Sequence, residues 1–399
     1  MRRLMVGVVA VLLFTGIAEA QRRPGDGRPS ASPAAAGDAL TGLTAAQRTL
    51  FTDGQKDFSE EETVSDGLGP VFNERSCAAC HSVPATGGGS RRAVTRFSTR
   101  TNGVYDPLTA LGGSLRQDHA IGLPDGSPHI FRPEIVPALA TIIVRRRTTP
   151  LFGLGFVDAT ADADFIALAA TQASRGDGVT GRVNMVDNIR AGMKTAGKFG
   201  WKAQVPSLFQ FSGDAYVNEM GITTPDFPNE NCPQGNCAEL SFNPVPGIND
   251  DGSGPVLLTN FMTLLAAPPR ATQNRDTDDG EATFEQIGCT ACHVATLHTG
   301  SSPIAALDRK TYHPYSDFLI HDMGALGDDL EMGDSTGKEM RTAPLWGLRF
   351  ITTYLHDGRA NTLDQAILAH DGEARAARDR FANLNATVKA KLMAFLNSL

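Results

Sequence analysis

Cys-x-x-Cys-His occurs twice in the chain, as Cys77-Ala78-Ala79-Cys80-His81 and as Cys289-Thr290-Ala291-Cys292-His293. Two thiols at this spacing can each add to one vinyl group of the same porphyrin, and the histidine that follows offers a ring nitrogen to its iron. A chain that carries the motif twice is expected to fold around two haems. Cys-x-x-Cys has other uses: a dithiol redox pair needs only the cysteines, and two pairs could supply four thiolates to one zinc ion. Neither calls for the trailing histidine. The pattern favours covalent c-type attachment through Cys77, Cys80, Cys289 and Cys292, with His81 and His293 as proximal ligands.

Arg2 and Arg3 precede an apolar run from Leu4 to Ile17, and Ala18-Glu19-Ala20 supplies a small-x-small cleavage pattern. Residues 1–20 therefore read as a secretory signal peptide, with the mature chain beginning near Gln21. No later stretch approaches the roughly twenty apolar residues that a membrane helix needs. A periplasmic protein is expected, since c-type haem is attached outside the cytosol in bacteria and thiols can pair there. Cys232 and Cys237, in the turn-rich segment Asn231-Cys232-Pro233-Gln234-Gly235-Asn236-Cys237, suit a local disulfide; two inert thiols are the other reading. The formal net charge of −8 argues against nucleic acid as a partner. It would favour a basic redox partner, or serve solubility alone.

The rest of the chain is duplicated. Arg147-Thr148-Thr149-Pro150-Leu151-Phe152-Gly153-Leu154-Gly155-Phe156-Val157 matches Arg341-Thr342-Ala343-Pro344-Leu345-Trp346-Gly347-Leu348-Arg349-Phe350-Ile351 at seven of eleven positions. After it, Phe199-Gly200-Trp201-Lys202-Ala203 and Ser207-Leu208-Phe209-Gln210 align without gaps on Tyr354-Leu355-His356-Asp357-Gly358 and Thr362-Leu363-Asp364-Gln365. Upstream, Phe51, Gly54 and Phe58 lead into the first haem motif as Gly280, Phe284 and Ile287 lead into the second. Helix, haem loop, Arg-Thr block and aromatic block form one unit used twice. The first unit holds about 39 extra residues between its last two blocks, a length that usually lies on the surface. Val388, Leu392, Phe395 and Leu399 recur at helical spacing and close the chain on an amphipathic helix. The expected fold is mostly α, with two tandem cytochrome c-like haem domains and long loops. Its parts are the signal peptide 1–20, a flexible leader 21–43 without apolar period, an N-terminal haem domain 44–265 with insertions, and a C-terminal haem domain 266–399.

Gly67-Leu68-Gly69-Pro70-Val71-Phe72-Asn73, Phe199-Gly200-Trp201-Lys202-Ala203, Asn218-Glu219-Met220-Gly221-Ile222-Thr223 and Tyr354-Leu355-His356-Asp357-Gly358-Arg359-Ala360 resemble the bacterial di-haem oxidoreductase (putative peroxidase) family. That family is itself similar to the bacterial dihaem cytochrome c peroxidases and to the dihaem enzyme that matures methylamine dehydrogenase. The resemblance runs from about residue 44 to the C-terminus. It implies a low-spin C-terminal haem that stores or delivers electrons and an N-terminal haem that meets peroxide.

In such relatives the distal ligand of the low-spin haem lies on the helix after the His-Asp-Gly block, where this chain has His370. The local sequence agrees: Thr362 can cap a helix on which Leu363, Ala366, Ile367 and His370 share one face. A core histidine bonded to a backbone carbonyl is the alternative. Trp201 stands where the relatives place a tryptophan between the haems, which makes it either an electron relay or a packed core residue. Lys202 replaces the aspartate of classical peroxidases, so charge near the haem edge is expected to differ. Glu219 matches a glutamate kept near the N-terminal haem, where a proton-transfer group is needed for peroxide cleavage; a solvated or paired acid is the alternative. His119 and His129 are rival distal groups in the long loop before Arg147. His321 and His356 are expected to bond haem propionates or turns. Calcium is a further cofactor to consider, because related peroxidases hold it between their domains and Asp276, Asp278 and Asp279 precede Gly280, although their spacing breaks the EF-hand pattern.

The expected activity is a peroxidase-like oxidoreductase that takes electrons from a donor protein or small reductant and passes them to hydrogen peroxide or a similar oxidant. Two alternatives are an electron-transfer cytochrome with both irons six-coordinate and no substrate of its own, and an enzyme that oxidises side chains of a partner protein.

Overall fold

The computed structural model describes residues 34–399, so the signal peptide and most of the leader lie outside the described residues. Nine α-helices occur among them: α1 (Ala45–Ser59), α2 (Leu154–Asp158), α3 (Asp162–Arg175), α4 (Leu208–Ala215), α5 (Ser253–Leu264), α6 (Arg275–Gln286), α7 (Leu363–Leu368), α8 (Arg375–Ala382) and α9 (Ala386–Leu396). Side-chain caps fix several starts. Thr44 closes a capping box with Gln47 on α1, and Asn274, Asn385, Ser207 and Thr362 accept backbone N–H bonds at the heads of α6, α9, α4 and α7.

The helix before each haem motif packs against a later helix of the same half. α1 lies on α5 and α6 lies on α9. Both contacts are close because a glycine sits at the crossing: a Cβ on Gly54 would stand 2.2 Å from the Leu257 carbonyl oxygen, and one on Gly280 would stand 2.1 Å from that of Lys391. Aromatic rings fill the space beside them. Phe51 and Phe58 pack on Phe261 at 5.3 and 4.9 Å between ring centroids, and Phe284 packs on Phe395 at 5.3 Å. Each such ring contributes about 1.5–3 kcal/mol by burial. Two apolar cores result, one around Phe58, Phe152 and Phe261 and one around Phe284, Phe381 and Phe395. The two Arg-Thr blocks turn alike, at Gly153 and Gly347, whose φ of 71° and 73° is left-handed and favours glycine.

Three regions differ from the expectations. Among the described residues helix covers about 34% and strand about 15%, with no closed sheet, so helices predominate over strands but irregular loops make up about half. The loop after the first motif contains a four-stranded antiparallel sheet, in which Ala93–Thr101 pairs with Ile142–Arg147, Val104–Asp106 and Ser114–Leu115. Residues 34–43, expected to continue a flexible leader, instead dock on the end of α5. Leu40 N–H donates to Leu264 O, Ala266 N–H donates to Asp38 O, and Leu40 and Leu43 are buried. The apolar pair gives this segment something to bury, whereas the sequence of residues 21–33 holds no large apolar side chain. No helix among the described residues is long and apolar enough to cross a membrane.

Candidate functional site

In the second motif, Gly288 (φ 90°) admits a tight turn at Cys289–Ala291 that sets Cys289, Cys292 and His293 side by side. His293 Nδ1 lies 2.8 Å from Tyr315 O. A carbonyl can only accept, so Nδ1 carries the ring proton and Nε2 keeps a bare lone pair. His370 repeats the arrangement with Nδ1 2.8 Å from Ala366 O, and so does His81, with Nδ1 3.0 Å from Gly88 O. Burial pushes His81 and His293 down to about 4 and also lowers His370, so all three rings are neutral. Neutral imidazoles with Nδ1–H anchored on backbone are the form in which histidine binds metals.

His293 and His370 line one cavity of about 440 Å3, and Cys289 and Cys292 belong to its wall. The volume falls within the roughly 300–1,000 Å3 of cofactor sites. Thr362 caps α7 as expected, but the helix ends at Leu368 and His370 lies just beyond it. The expected face is nonetheless kept, since Leu363, Ala366, Ile367 and His370 all line the cavity. These residues fit a haem, which the Cys289 and Cys292 thiols and the His293 and His370 imidazoles would hold.

Between the two motifs the halves exchange arginines. Arg147 N–H donates to His356 O and its Nε to Leu355 O at 3.1 Å, while Arg341 N–H donates to Trp201 O and its Nε to Gly200 O at 2.6 Å. Each arginine thus clamps the aromatic block of the other half at equivalent positions. Trp201, half-buried, lines the cavity and donates from Nε1 to Arg147 O at 3.1 Å. Just after Arg147 in sequence, Thr148 and Thr149 lie close to Cys80 and His81 of the first motif. The block from Arg147 to Thr149 therefore reaches from the first motif to the aromatic block of the second half.

Near the first motif, α4 ends at Ala215, the residue aligned with His370, and continues into one widened π-type turn, Tyr216–Met220, which carries Glu219. Glu219 Oε2 accepts from Asn73 Nδ2 at 2.9 Å, and Asn73 Oδ1 accepts from Asp118 N–H at 3.0 Å, which fixes the amide's orientation. Burial raises the Glu219 carboxyl above its ordinary range, opposed by the charge of half-buried Arg96 and by Asn73. Its own charge contributes, after burial, to pushing the Cys80 thiol up to about 11. Sequence reasoning quoted Asn73 within a motif but gave it no role, and Arg96 carried no local signal.

The other candidates separate. His119 Nδ1 donates to Asn73 O at 2.9 Å and its ring, exposed, stacks on Phe72. His129 pairs with Glu239 at 3.0 Å and stacks on Phe242. His321 is fully buried between two carboxylates, Nε2 2.9 Å from Asp317 and Nδ1 2.7 Å from Glu373. Burial opposes its proton, but bonds to Asp317, Cys292 and Glu373 outweigh that and hold it charged. Cys292, Asp317 and His321 are the one group of ligand-type side chains that converges among the described residues. Because that thiol belongs to the second Cys-x-x-Cys-His motif, the group reads as a charged ring held beside that motif. The acids before Gly280 do not converge: Asp276 and Asp279 reach Lys391 of α9 at 3.7 and 2.5 Å. Lys202 is buried and paired with Asp328 at 3.1 Å, and Arg146 shares the same carboxylate at 2.6 Å.

The insertion, expected on the surface, covers the second site. Gln172 of α3 donates to Ala291 O and to Asp317, and Thr180 donates to Glu373. Gln172 on α3 and Thr180 in the loop after it, both invisible to an apolar count, make these contacts. The disulfide Cys232–Cys237 is formed.

Residues 140–399 match the family described as di-haem oxidoreductase, putative peroxidase, and the chain belongs to that family. It is an oxidoreductase enzyme of the di-haem class. The first motif lies before the matched segment. No curated protein matches the chain. Among solved structures it is similar to a hydrazine synthase from Kuenenia stuttgartiensis (14% identity, 98% of this chain and 99% of that chain, TM-score 0.39). It is also similar to a MauG-like protein associated with microbial copper homeostasis (16%, 92% and 93%, TM-score 0.39) and to the diheme peroxidase BthA from Burkholderia thailandensis E264 (14%, 88% and 86%, TM-score 0.39).

Proposed function

We propose that the protein is an exported, periplasmic peroxidase with two covalently attached c-type haems, which reduces hydrogen peroxide or a similar oxidant with electrons from a donor protein or small reductant. Cys77, Cys80 and His81 hold the first haem, within a domain spanning 44–265. Cys289, Cys292, His293 and His370 hold the second, within a domain spanning 266–399. The haems supply the iron redox chemistry, and the chain sets ligands, access and proton delivery.

The observation that carries the reading is the pair His293 and His370, with bare Nε2 atoms on the walls of one cavity beside two free thiols. At the position aligned with His370 the first half has Ala215 in place of an imidazole. There the oxidant enters. Glu219 takes the proton from the near oxygen of peroxide and returns it to the leaving oxygen, held in place by Asn73. Trp201 conducts electrons from the second site to the first, supported by its hydrogen bond to Arg147 and its edge-to-face contact with His356.

The test is haem staining on denaturing gels, followed by peroxide assay. Wild type should carry two haems per chain, and Cys77→Ala/Cys80→Ala and Cys289→Ala/Cys292→Ala one each. Wild type should consume hydrogen peroxide with an artificial donor. Protein that binds zinc and no haem, or binds haem without turnover in any redox state, refutes the reading.

A further inference from the structure

His356 belongs to the walls of two cavities. It lines the large one between His293 and His370, and it also lines a depression of about 220 Å3 whose other walls are Ile143, Val144, Arg145, Asp357 and Arg359. The depression opens to solvent, since Ile143 is 58% exposed and Arg145 and Arg359 are exposed. One imidazole, itself edge-on to Trp201, therefore separates the surface from the space assigned to the second haem.

The depression is positively charged in a chain of net charge −8. Arg359 is paired with Asp357. Arg145 has no ion-pair partner among the described residues, and below it Arg146 and Lys202 share the single carboxylate of Asp328. One positive charge is thus left over beneath the floor and one at the rim. Burial pushes His356 itself down to about 4, so the floor is neutral and adds no negative charge. Ile143 and Val144 supply an apolar wall. The volume falls below the roughly 300–1,000 Å3 of drug-sized pockets, which fits a small molecule.

We propose that this depression binds a small organic anion that acts as a one-electron reductant, an enediol anion being the chemistry that fits, and that its electrons enter through His356 and Trp201. The proposal rests on the peroxidase reading above. Two donor anions each give up one electron and one proton, and one hydrogen peroxide takes up two electrons and two protons and leaves as two waters.

The test compares ascorbate, an anionic enediol, with hydroquinone, a neutral donor of similar size, in peroxide consumption by the holoenzyme. Arg145→Gln/Arg359→Gln should raise the ratio of the KM for ascorbate to that for hydroquinone about tenfold, the loss expected for charge-assisted contacts. Oxalate, a redox-inert dianion, should compete with ascorbate and bind wild type in calorimetric titration, and the double variant should lose both effects. Equal KM shifts for the two donors, or oxalate binding that survives the double substitution, overturns the proposal. If wild type turns over peroxide with neither donor, the peroxidase reading fails, and the oxalate titration still decides the anion site by itself.

Discussion

Trp201 and His356 meet edge to face with ring centroids 6.2 Å apart, and they are the corresponding residues of the two copies of the aromatic block. Arg147 and Arg341 enforce the contact by gripping the backbone of the opposite copy. The duplication thus builds its own centre, where like parts of the two halves touch. Trp201→Phe keeps an aromatic ring there but removes the Nε1 bond to Arg147 O. Rapid-mixing spectra should show slower electron exchange between the two haems with haem content unchanged. Exchange at the wild-type rate would make Trp201 a packing residue.

Glu219→Gln should lower peroxide turnover by about two powers of ten, the lower range for a positioned proton-transfer group. The wild-type pH profile should fall on the acid side with an apparent pKa above 4.5, because burial favours the neutral carboxyl and only the ionised form accepts a proton. Asn73 donates to that carboxylate and stabilises the ionised form. Asn73→Leu should therefore move the acid limb further up in pH, which loss of packing alone would not do.

Asp328 accepts from both Arg146 and Lys202, and the three side chains are 4% exposed or less. Asp328→Asn leaves two buried cations without their counter-charge and should cost about 3–5 kcal/mol in denaturant unfolding. A loss below about 1 kcal/mol would mean that water reaches the network.

Much of this architecture is legible in the sequence, and the exceptions share a cause. Cys-x-x-Cys-His and the duplicated blocks are local strings, and the spacing from Thr362 puts His370 on the same cavity-lining face as Leu363, Ala366 and Ile367 even though α7 stops two residues short of it. Asn73 meets Glu219 across 146 residues and Arg146 meets Asp328 across 182; no periodicity announces such pairs. The sheet was hidden differently. Ala93–Thr101 is buried mainly at Phe97 and Ser98, and arginines and threonines fill much of the strand, so apolar alternation is faint. In residues 34–43 two leucines outweigh a composition that otherwise reads as unstructured.

Gly280→Ala should push α6 away from α9, since the new Cβ would meet the Lys391 carbonyl and Phe395 Cβ at 2.1 and 2.8 Å. The expected loss is about 1–3 kcal/mol, the range for overpacking. Gly54→Ala at the α1–α5 crossing should behave alike, because the Leu257 carbonyl stands 2.2 Å from its Cβ. Unfolding midpoints of the two variants check both, and stability equal to wild type would show that the helices can part without cost.

The central claim is that the two haem sites differ on their distal sides, with His370 at one and Ala215 followed by Glu219 at the other. Electron paramagnetic resonance of the holoprotein, in wild type and in His370→Ala, tests it most directly. The account predicts one low-spin signal of bis-histidine type in wild type, its conversion to high-spin in His370→Ala, and a first haem that is high-spin in at least one redox state. A low-spin signal that survives His370→Ala unchanged, or two haems that stay low-spin in every redox state, would contradict it.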